Sequence, residues 1–345
     1  MKLLNIAVLG ATGAVGAELL QLLRERNFPV GELRLLASPR SAGKTVRFGE
    51  EDVVVQAVSE EAFRGVDVAF FSAGGSVSRQ WVRAAVEAGA VVIDNTSAFR
   101  LDPDVPLVVP EVNPDAALRH HGVIANPNCS TIIMLVALNP LYREAGIERI
   151  VVSTYQAVSG AGAAAMQELL RQVEDYQSGK PLTARRLPVA GQPRHYPILF
   201  NVIPQVDVFD DDGYTKEEWK MVRETRKVWD DDTVGVSATT VRVPVLRSHA
   251  ESINVQTRAP LTPERARELL AAAPGVAVVD EPEAQRYPMP LDASGKDEVF
   301  VGRIRKDPSI ERGLNLWVVG DQIRKGAALN ALQIAELLAE RGRPR

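Results

Sequence analysis

Residues 4–26 read LNIAVLGATGAVGAELLQLLRER, and this stretch decides the fold. Residues 5–9 form a short apolar run of the kind buried strands carry, and residues 15–26 place apolar side chains at helical spacing. Between them stand Gly10, Gly13 and Gly16. The spacing is G-x-x-G-x-x-G rather than G-x-G-x-x-G, but the physics is shared. Glycine permits a tight turn, lets the backbone approach a pyrophosphate and aims a helix N-terminus at the anion. A strand–helix turn that needs glycine only for positive φ would look similar. Its place after the first strand and before the first helix favours a dinucleotide site.

Working outward, strand and helix signals alternate. A second strand covers residues 33–37, a later one ends at Ser72 before a helix over 76–88, and another stops at Asp94. A short strand, a turn and an apolar helix follow in GVIANPNCSTIIMLVALNPLY. Such alternation predicts a doubly wound parallel sheet, a Rossmann-like α/β domain. The texture changes near Ile150. RIVVSTYQAVSGAG, VGVSATTVRVPV, AESINVQTR, EVFVGRIR and LNLWVVGD read as strands, with helices over 163–176, 215–229 and 263–273. This predicts an α+β domain with a mixed sheet and one exposed face. A last amphipathic helix over 327–341 is not placed by the sequence alone.

The totals exclude several classes. The 345 residues suit two domains. One cysteine rules out an intrachain disulfide and a Cys-rich metal site, and fits a reducing compartment. The net charge of -4, without a basic block, gives nucleic acid or membrane partners no support. The apolar N-terminus is too short to span a bilayer and reads as a cytoplasmic start.

Strand two also bears on the dinucleotide. An NAD site usually ends this strand with Asp or Glu, to hold the ribose 2′-hydroxyl. Here it ends Ala37-Ser38-Pro39-Arg40-Ser41, with an arginine between hydroxyls. A guanidinium suits a 2′-phosphate, so NADP is favoured over NAD.

The single cysteine lies in NPNCSTII. Pro127 disfavours helix at Asn126, and the apolar run after Cys129 marks a buried helix. Cys129 thus stands near a helix N-terminus, where the dipole and free N–H groups favour thiolate and could stabilise an oxyanion. Of four histidines, His120 and His121 read as a helix C-terminus before Gly122, and His195 as a loop residue. His249 lies where one strand ends and another starts. Arg242 stands seven residues earlier, an odd spacing that on one straight strand would put the two on opposite faces. A break after Pro244 would let them converge.

Together these segments resemble the aspartate-semialdehyde dehydrogenase family in its bacterial form. The matching runs are GATGAVG, SPRSAGK, FFSAGG, VIDNTSAFR, PEVN, NPNCSTI, TYQAVSGAG, YTKEEWKMVRETRK, VRVPVLRSHAES and GDQIRKGAALN, in family order. The resemblance implies reversible NADP-linked conversion of L-aspartyl 4-phosphate to L-aspartate 4-semialdehyde and phosphate, by a homodimer acting before lysine, methionine and threonine synthesis diverge. It implies an NADP-binding domain over 1–128, completed by a C-terminal helix at 322–345, and a catalytic and dimerisation domain over 129–321. Cys129 matches the acyl-accepting nucleophile, His249 the general acid/base and Gln156 a residue positioning substrate and intermediate. Arg242 matches the ligand of the substrate carboxylate. Glu217, with Glu218 competing, matches the ligand of its amino group. Arg100, Asn128 and Lys220 match the phosphate grip. Gly10, Thr12, Gly13, Ala14, Val15, Ser38, Arg40, Ser41, Ser72, Ser159, Gly160 and Gln322 match cofactor contacts.

The chemistry agrees with these residue types. A thioester accepts hydride more readily than a carboxylate, and a histidine can both take and give a proton near neutral pH. Two other readings stand beside this one. An N-acetylglutamyl-phosphate-reductase-like enzyme would share the thiol logic. An NADP-binding sensor would keep the loop but leave Cys129, Arg242 and His249 unexplained. A short-chain reductase pair, Tyr176 and Lys180, is rejected because Gly179 and Pro181 interrupt the helix it needs.

Overall fold

The structure is a computed structural model that describes residues 2–341. The chain divides into two compact units. One takes the chain up to Asn128 together with the segment from Gly326 onward, and the other is Cys129–Lys325.

The first unit contains β1 (Leu4–Leu9), α1 (Ala14–Glu25), β2 (Val30–Ala37), β3 (Thr45–Phe48), β4 (Glu51–Val54), β5 (Gln56–Ala57), β6 (Val68–Phe71), α2 (Gly75–Glu87), β7 (Val91–Asp94) and β8 (Val123–Ala125). Among the described residues its main sheet has six strands in the order β5-β2-β1-β6-β7-β8, all parallel. The order reverses between β1 and β6, so the crevice beyond their C-terminal ends is the expected ligand position. Ile6, Val8, Phe70 and Ile93 bury one sheet face, and Ala7, Leu9, Phe71 and Val92 the other. Burial on both faces explains why these strands read as unbroken apolar runs. The second strand starts at Val30 rather than residue 33, because Gly31 and Glu32 are exposed and leave no apolar signature. The β3–β4 hairpin escaped the sequence for the same reason.

The second unit contains α3 (Cys129–Ala145), β9 (Ile147–Gln156), α4 (Ala163–Gln177), α5 (Lys216–Trp229), β10 (Gly235–Arg242), β11 (His249–Thr257), α6 (Pro263–Ala271), β12 (Val276–Val278), α7 (Pro290–Ala293), β13 (Val299–Lys306) and β14 (Gly313–Gly320). Among the described residues its sheet has the order β10-β9-β11-β14-β13-β12. The β9–β10 and β12–β13 pairs are parallel and the others antiparallel, so the sheet is mixed as expected. Alternation along the strands buries Thr154, Gln156, Thr240, Arg242, His249 and Glu251. Tyr155 and Ser252 point the other way and are exposed. α3 is buried nearly all round, as its apolar sequence requires.

The chain then returns to the first unit. α8 (Leu329–Arg341) lays Leu329, Leu332, Ile334 and Leu338 into the core that holds Ile6 and Leu22. The helix expected from residue 322 starts later. Asp321 Oδ1 accepts from the N–H groups of Ile323 and Arg324, and a wide π turn over Arg324–Ala328 precedes the regular helix. Residues 342–345 of that expectation lie outside the described residues. Among the described residues no helix is long and apolar enough to cross a membrane.

Candidate active site

In the first unit the glycine loop is built as the sequence suggested. Gly10 has φ +97, and a Cβ there would stand 2.9 Å from the Ser72 Oγ and carbonyl carbon. A Cβ on Gly16 would stand 2.4 Å from the Gly10 carbonyl oxygen. Both positions therefore require glycine, which lets β1, α1 and the end of β6 close together. Gly13 is the N-cap of α1 and offers no side-chain cap, so the first amides remain available to an anion. Thr12 and Gly13 are exposed, and Ala14 and Val15 open the helix. Ser38 precedes a short turn, Pro39–Ser41, that displays Arg40 to solvent. The turn carries no carboxylate, and its groups fit a phosphorylated ribose. This cradle fits a dinucleotide.

Also in the first unit, Arg100 is buried. Its Nε donates to the Asn126 carbonyl and its Nη2 to the Asn95 carbonyl, both at 2.8 Å. These bonds anchor the stretch leading through buried Asn128 to the next residue, Cys129.

In the second unit Cys129 is the first residue of the 17-residue α3, half-buried at its N-terminus. The following Ser130 accepts a hydrogen bond from Gln156 Nε2 at 3.1 Å. The same amide donates to Thr154 Oγ1 at 3.3 Å and to Glu217 Oε1 at 3.2 Å. Gln156 Oε1 receives Arg242 Nη1 at 3.5 Å, and that nitrogen also donates to the Ala157 carbonyl at 2.8 Å. Burial lowers the pKa of Arg242, while Glu217 and Cys129 oppose the shift, so both lie within electrostatic reach of the guanidinium.

The odd spacing of Arg242 and His249 is resolved by a turn. β10 ends at Arg242 and β11 starts at His249. Between them Ser248 takes φ +74, with its N–H donated to Gln322 Oε1 at 2.8 Å. Arg247 Nε pairs with buried Asp321 at 2.6 Å. Gln322 Nε2 also donates to Ser159 Oγ, so Ser159 and Gln322 are joined to the turn that carries His249. Arg242 and His249 both face Gly160. A Cβ on this glycine would stand 2.7 Å from Arg242 Nη1 and 3.3 Å from His249 Cε1 and Nε2.

The Ala157 N–H donates to His249 Nδ1 at 3.1 Å, which fixes the proton of the neutral ring on Nε2. Nε2 itself is buried with no hydrogen-bond partner among the described residues, and so is Arg242 Nε. Burial first, then the positive charge of Arg242, push the imidazole down to about 3, against the opposing pull of Glu217. The ring is neutral at pH 7 and presents an N–H.

Helix α5 separates the two competing glutamates. Glu218 forms a capping box with Thr215: its Oε2 accepts from the Thr215 N–H at 2.7 Å, and its N–H donates to Thr215 Oγ1 at 3.2 Å. Its Oε1 accepts from the Thr240 N–H at 2.9 Å. Both oxygens thus serve the backbone. Glu217 instead meets Gln156 and, at 3.1 Å, Lys220 Nζ. The T-x-x-E pattern at Thr215 is the sequence signal that would have assigned Glu218 to capping. Lys220 Nζ also contacts Asp207 at 2.9 Å. Burial lowers the Lys220 pKa, but the two carboxylates outweigh it and hold the ammonium well above the usual range. Ser130, Thr154 and Asp207 were not read from the sequence. Ser130 and Thr154 lie in runs that carry the resemblance but without a role of their own, Asp207 lies in none, and only the fold brings them to Gln156 and Lys220.

One buried region of the second unit thus gathers a thiol at a helix start, an imidazole N–H, a guanidinium, a carboxylate and an ammonium. This set can bind a small zwitterion with a further anionic group beside a nucleophile. Residues 5–120 match the family described as semialdehyde dehydrogenase, NAD binding domain, and residues 138–325 match semialdehyde dehydrogenase, dimerisation domain. The aspartate-semialdehyde dehydrogenase of Aquifex aeolicus is 55% identical, with 98% of each chain covered. That of Bacillus subtilis is 51% identical, with 97% of each covered. A crystal structure of aspartate semialdehyde dehydrogenase II complexed with ASA from Vibrio cholerae superposes with TM-score 0.93, at 51% identity and 99% coverage of each chain. One of the Candida albicans enzyme with NADP gives TM-score 0.75 at 26% identity, covering 98% of this chain and 99% of that one. This chain, an oxidoreductase, belongs to the aspartate-semialdehyde dehydrogenase family.

Proposed function

We propose that the enzyme interconverts L-aspartate 4-semialdehyde and L-aspartyl 4-phosphate, with NADP and phosphate, through an acyl group carried on Cys129. The observation that carries this reading is the joint placement of Arg242 and His249 against Gly160, with Gln156 linking Arg242, Glu217 and the residue after Cys129.

In the oxidative direction the Cys129 thiolate adds to the aldehyde carbon, giving the oxyanion of a thiohemiacetal, which needs no added proton. Amides at the start of α3 face the oxygen that gains charge. His249 meets the reacting oxygen through Nε2, because Nδ1 is engaged by Ala157. Arg242 receives the substrate carboxylate through its unpartnered Nε, and Glu217 receives the ammonium group. Gln156 holds both side chains in register. Loss of hydride alone from that oxyanion leaves a thioester; a bound NADP would supply the hydride acceptor. Phosphate then attacks the thioester carbon and the thiolate leaves, restoring Cys129. Lys220, Arg100 and Asn128 are assigned to the phosphate.

The cofactor is held by Gly10, Thr12, Gly13, Ala14, Val15, Ser38, Ser41 and Ser72, with Arg40 on the 2′-phosphate and Ser159, Gly160 and Gln322 completing the set. The enzyme acts as a cytoplasmic homodimer in the synthesis of lysine, methionine and threonine. The name of the matching second domain and the single cysteine support this setting. Assays offering aspartate semialdehyde and N-acetylglutamate semialdehyde, each with NADP and phosphate, test the substrate. Turnover of the first alone is expected, and preference for the second would overturn the assignment.

A further inference from the structure

Lys220 is held by two carboxylates, Glu217 at 3.1 Å and Asp207 at 2.9 Å. Only Glu217 has another task in the proposed mechanism. Asp207 belongs to no motif and lies thirteen residues before Lys220, in the loop that precedes α5.

That loop is built to aim Asp207. Its start is clamped to the strand end that carries Arg242: the Ile203 N–H donates to the Arg242 carbonyl at 2.9 Å, and the Arg242 N–H returns to Ile203 at 2.8 Å. Its far end is tied to the start of α5 by the Lys216 N–H, which donates to the Val208 carbonyl at 2.9 Å. Between these clamps Asp207 takes φ +69, a left-handed conformation uncommon outside glycine. The Val208 N–H donates to Asp207 Oδ1 at 2.9 Å, and Gln205 Nε2 donates to its carbonyl at 3.0 Å. Oδ2 is left directed at the ammonium. A sparsely populated backbone conformation, fixed from both sides and ending on a charged group of the site, is the pattern of a functional constraint.

The charge count gives the constraint a purpose. Glu217 lies within electrostatic reach of Arg242 as well as against Lys220, so these two cations and the carboxylates Glu217 and Asp207 balance. Asp207 thus cancels attraction that the lysine would otherwise exert on an incoming anion. We propose that Asp207 is a positioning residue: it holds Lys220 extended when no phosphate is bound, and it competes with phosphate for the ammonium. This keeps phosphate affinity low, as suits a group that must leave in one direction and enter in the other. The proposal rests on the assignment of Lys220 to phosphate.

Asp207→Asn retains a residue type that tolerates the left-handed region, so the loop geometry is kept. Removing one negative charge near the anion is expected to lower the KM for inorganic phosphate by about tenfold. The KM for NADP should stay within about twofold, and Asp207→Glu should return the phosphate KM toward that of the wild type. A merely structural role would weaken all substrates together. Lys220→Met, measured in parallel, should raise the phosphate KM. If Lys220→Met leaves it unchanged, the lysine assignment and this proposal both fall. If Lys220→Met raises it while Asp207→Asn leaves it unchanged or raises it too, the Asp207 proposal alone is overturned.

Discussion

Gly160→Ala tests whether the site depends on the close approach of Arg242 and His249 to one glycine. Gly160 is not at positive φ, so alanine meets no backbone strain, and its cost comes from the side-chain contact alone. The new Cβ would stand 2.7 Å from Arg242 Nη1, where ordinary contact begins at 3.4 Å. The guanidinium is buried and cannot swing away into solvent. Nη1 donates to the Ala157 carbonyl at 2.8 Å, and a shift of about 0.7 Å away from that oxygen would stretch this bond to about 3.5 Å, the limit of useful geometry. A hydrogen bond from a charged group contributes roughly 1.5–3 kcal/mol, so if the displaced Arg242 loses its bond to the substrate carboxylate, kcat/KM should fall by about ten- to 150-fold. Steady-state oxidation of aspartate semialdehyde at saturating phosphate, with Tm measured alongside, reads the effect. A fall in kcat/KM for the aldehyde is expected, with a Tm lowered by the weakened Arg242–Ala157 bond but with the enzyme still folded at the assay temperature. Values within threefold of wild type, or a defect confined to the KM for NADP, would refute the reasoning.

Three further variants probe separate parts of the account. Arg40→Ala should reduce the preference for NADPH over NADH, read as the ratio of their kcat/KM values, and an unchanged ratio would remove Arg40 from the 2′-phosphate. Glu218→Ala should lower stability by about 1–2 kcal/mol through loss of the capping box, seen as an earlier urea midpoint at similar m; an unmoved midpoint would contradict the capping role. Glu251 is fully buried with neither carboxylate oxygen partnered among the described residues, and burial raises its pKa well above the usual range. The folded state therefore keeps a proton that the unfolded chain releases, and stability falls as pH rises above the unfolded pKa, by at most about 1.4 kcal/mol per pH unit. Glu251→Gln should gain on wild type between pH 5 and pH 8 in urea titrations, and a constant gap would show that Glu251 does not titrate this way.

The sheet of the first unit was legible because its strands are buried on both faces and its glycines are required by contact, as Gly10 and Gly16 show. The β3–β4 hairpin was not, because half-exposed residues carry no apolar signal. Cys129 could be placed at a helix start from Pro127 and the apolar run alone. Its setting could not, because Ser130, Thr154 and Gln156 meet only through tertiary pairing. Arg242 and His249 illustrate the same limit. Their separation along the chain allowed either face, and the decision lies in Ser248, whose left-handed turn is held by Gln322 far away in sequence. Glu217 and Glu218 were distinguishable in principle, since the capping box is a local pattern. Asp207 had no local signal, and Glu251, although inside the run that holds His249, had none that marked its burial.

In the proposed mechanism Cys129 carries the acyl group. The most direct measurement mixes the enzyme with aspartate semialdehyde and NADP without phosphate, and follows NADPH formation together with the intact protein mass. One equivalent of NADPH per active site, with an aspartyl group added at Cys129 and released on adding phosphate, is the expected result. Thiol alkylation or Cys129→Ala should abolish all three signals. Phosphate-dependent turnover that survives in the Cys129→Ala enzyme would contradict the account.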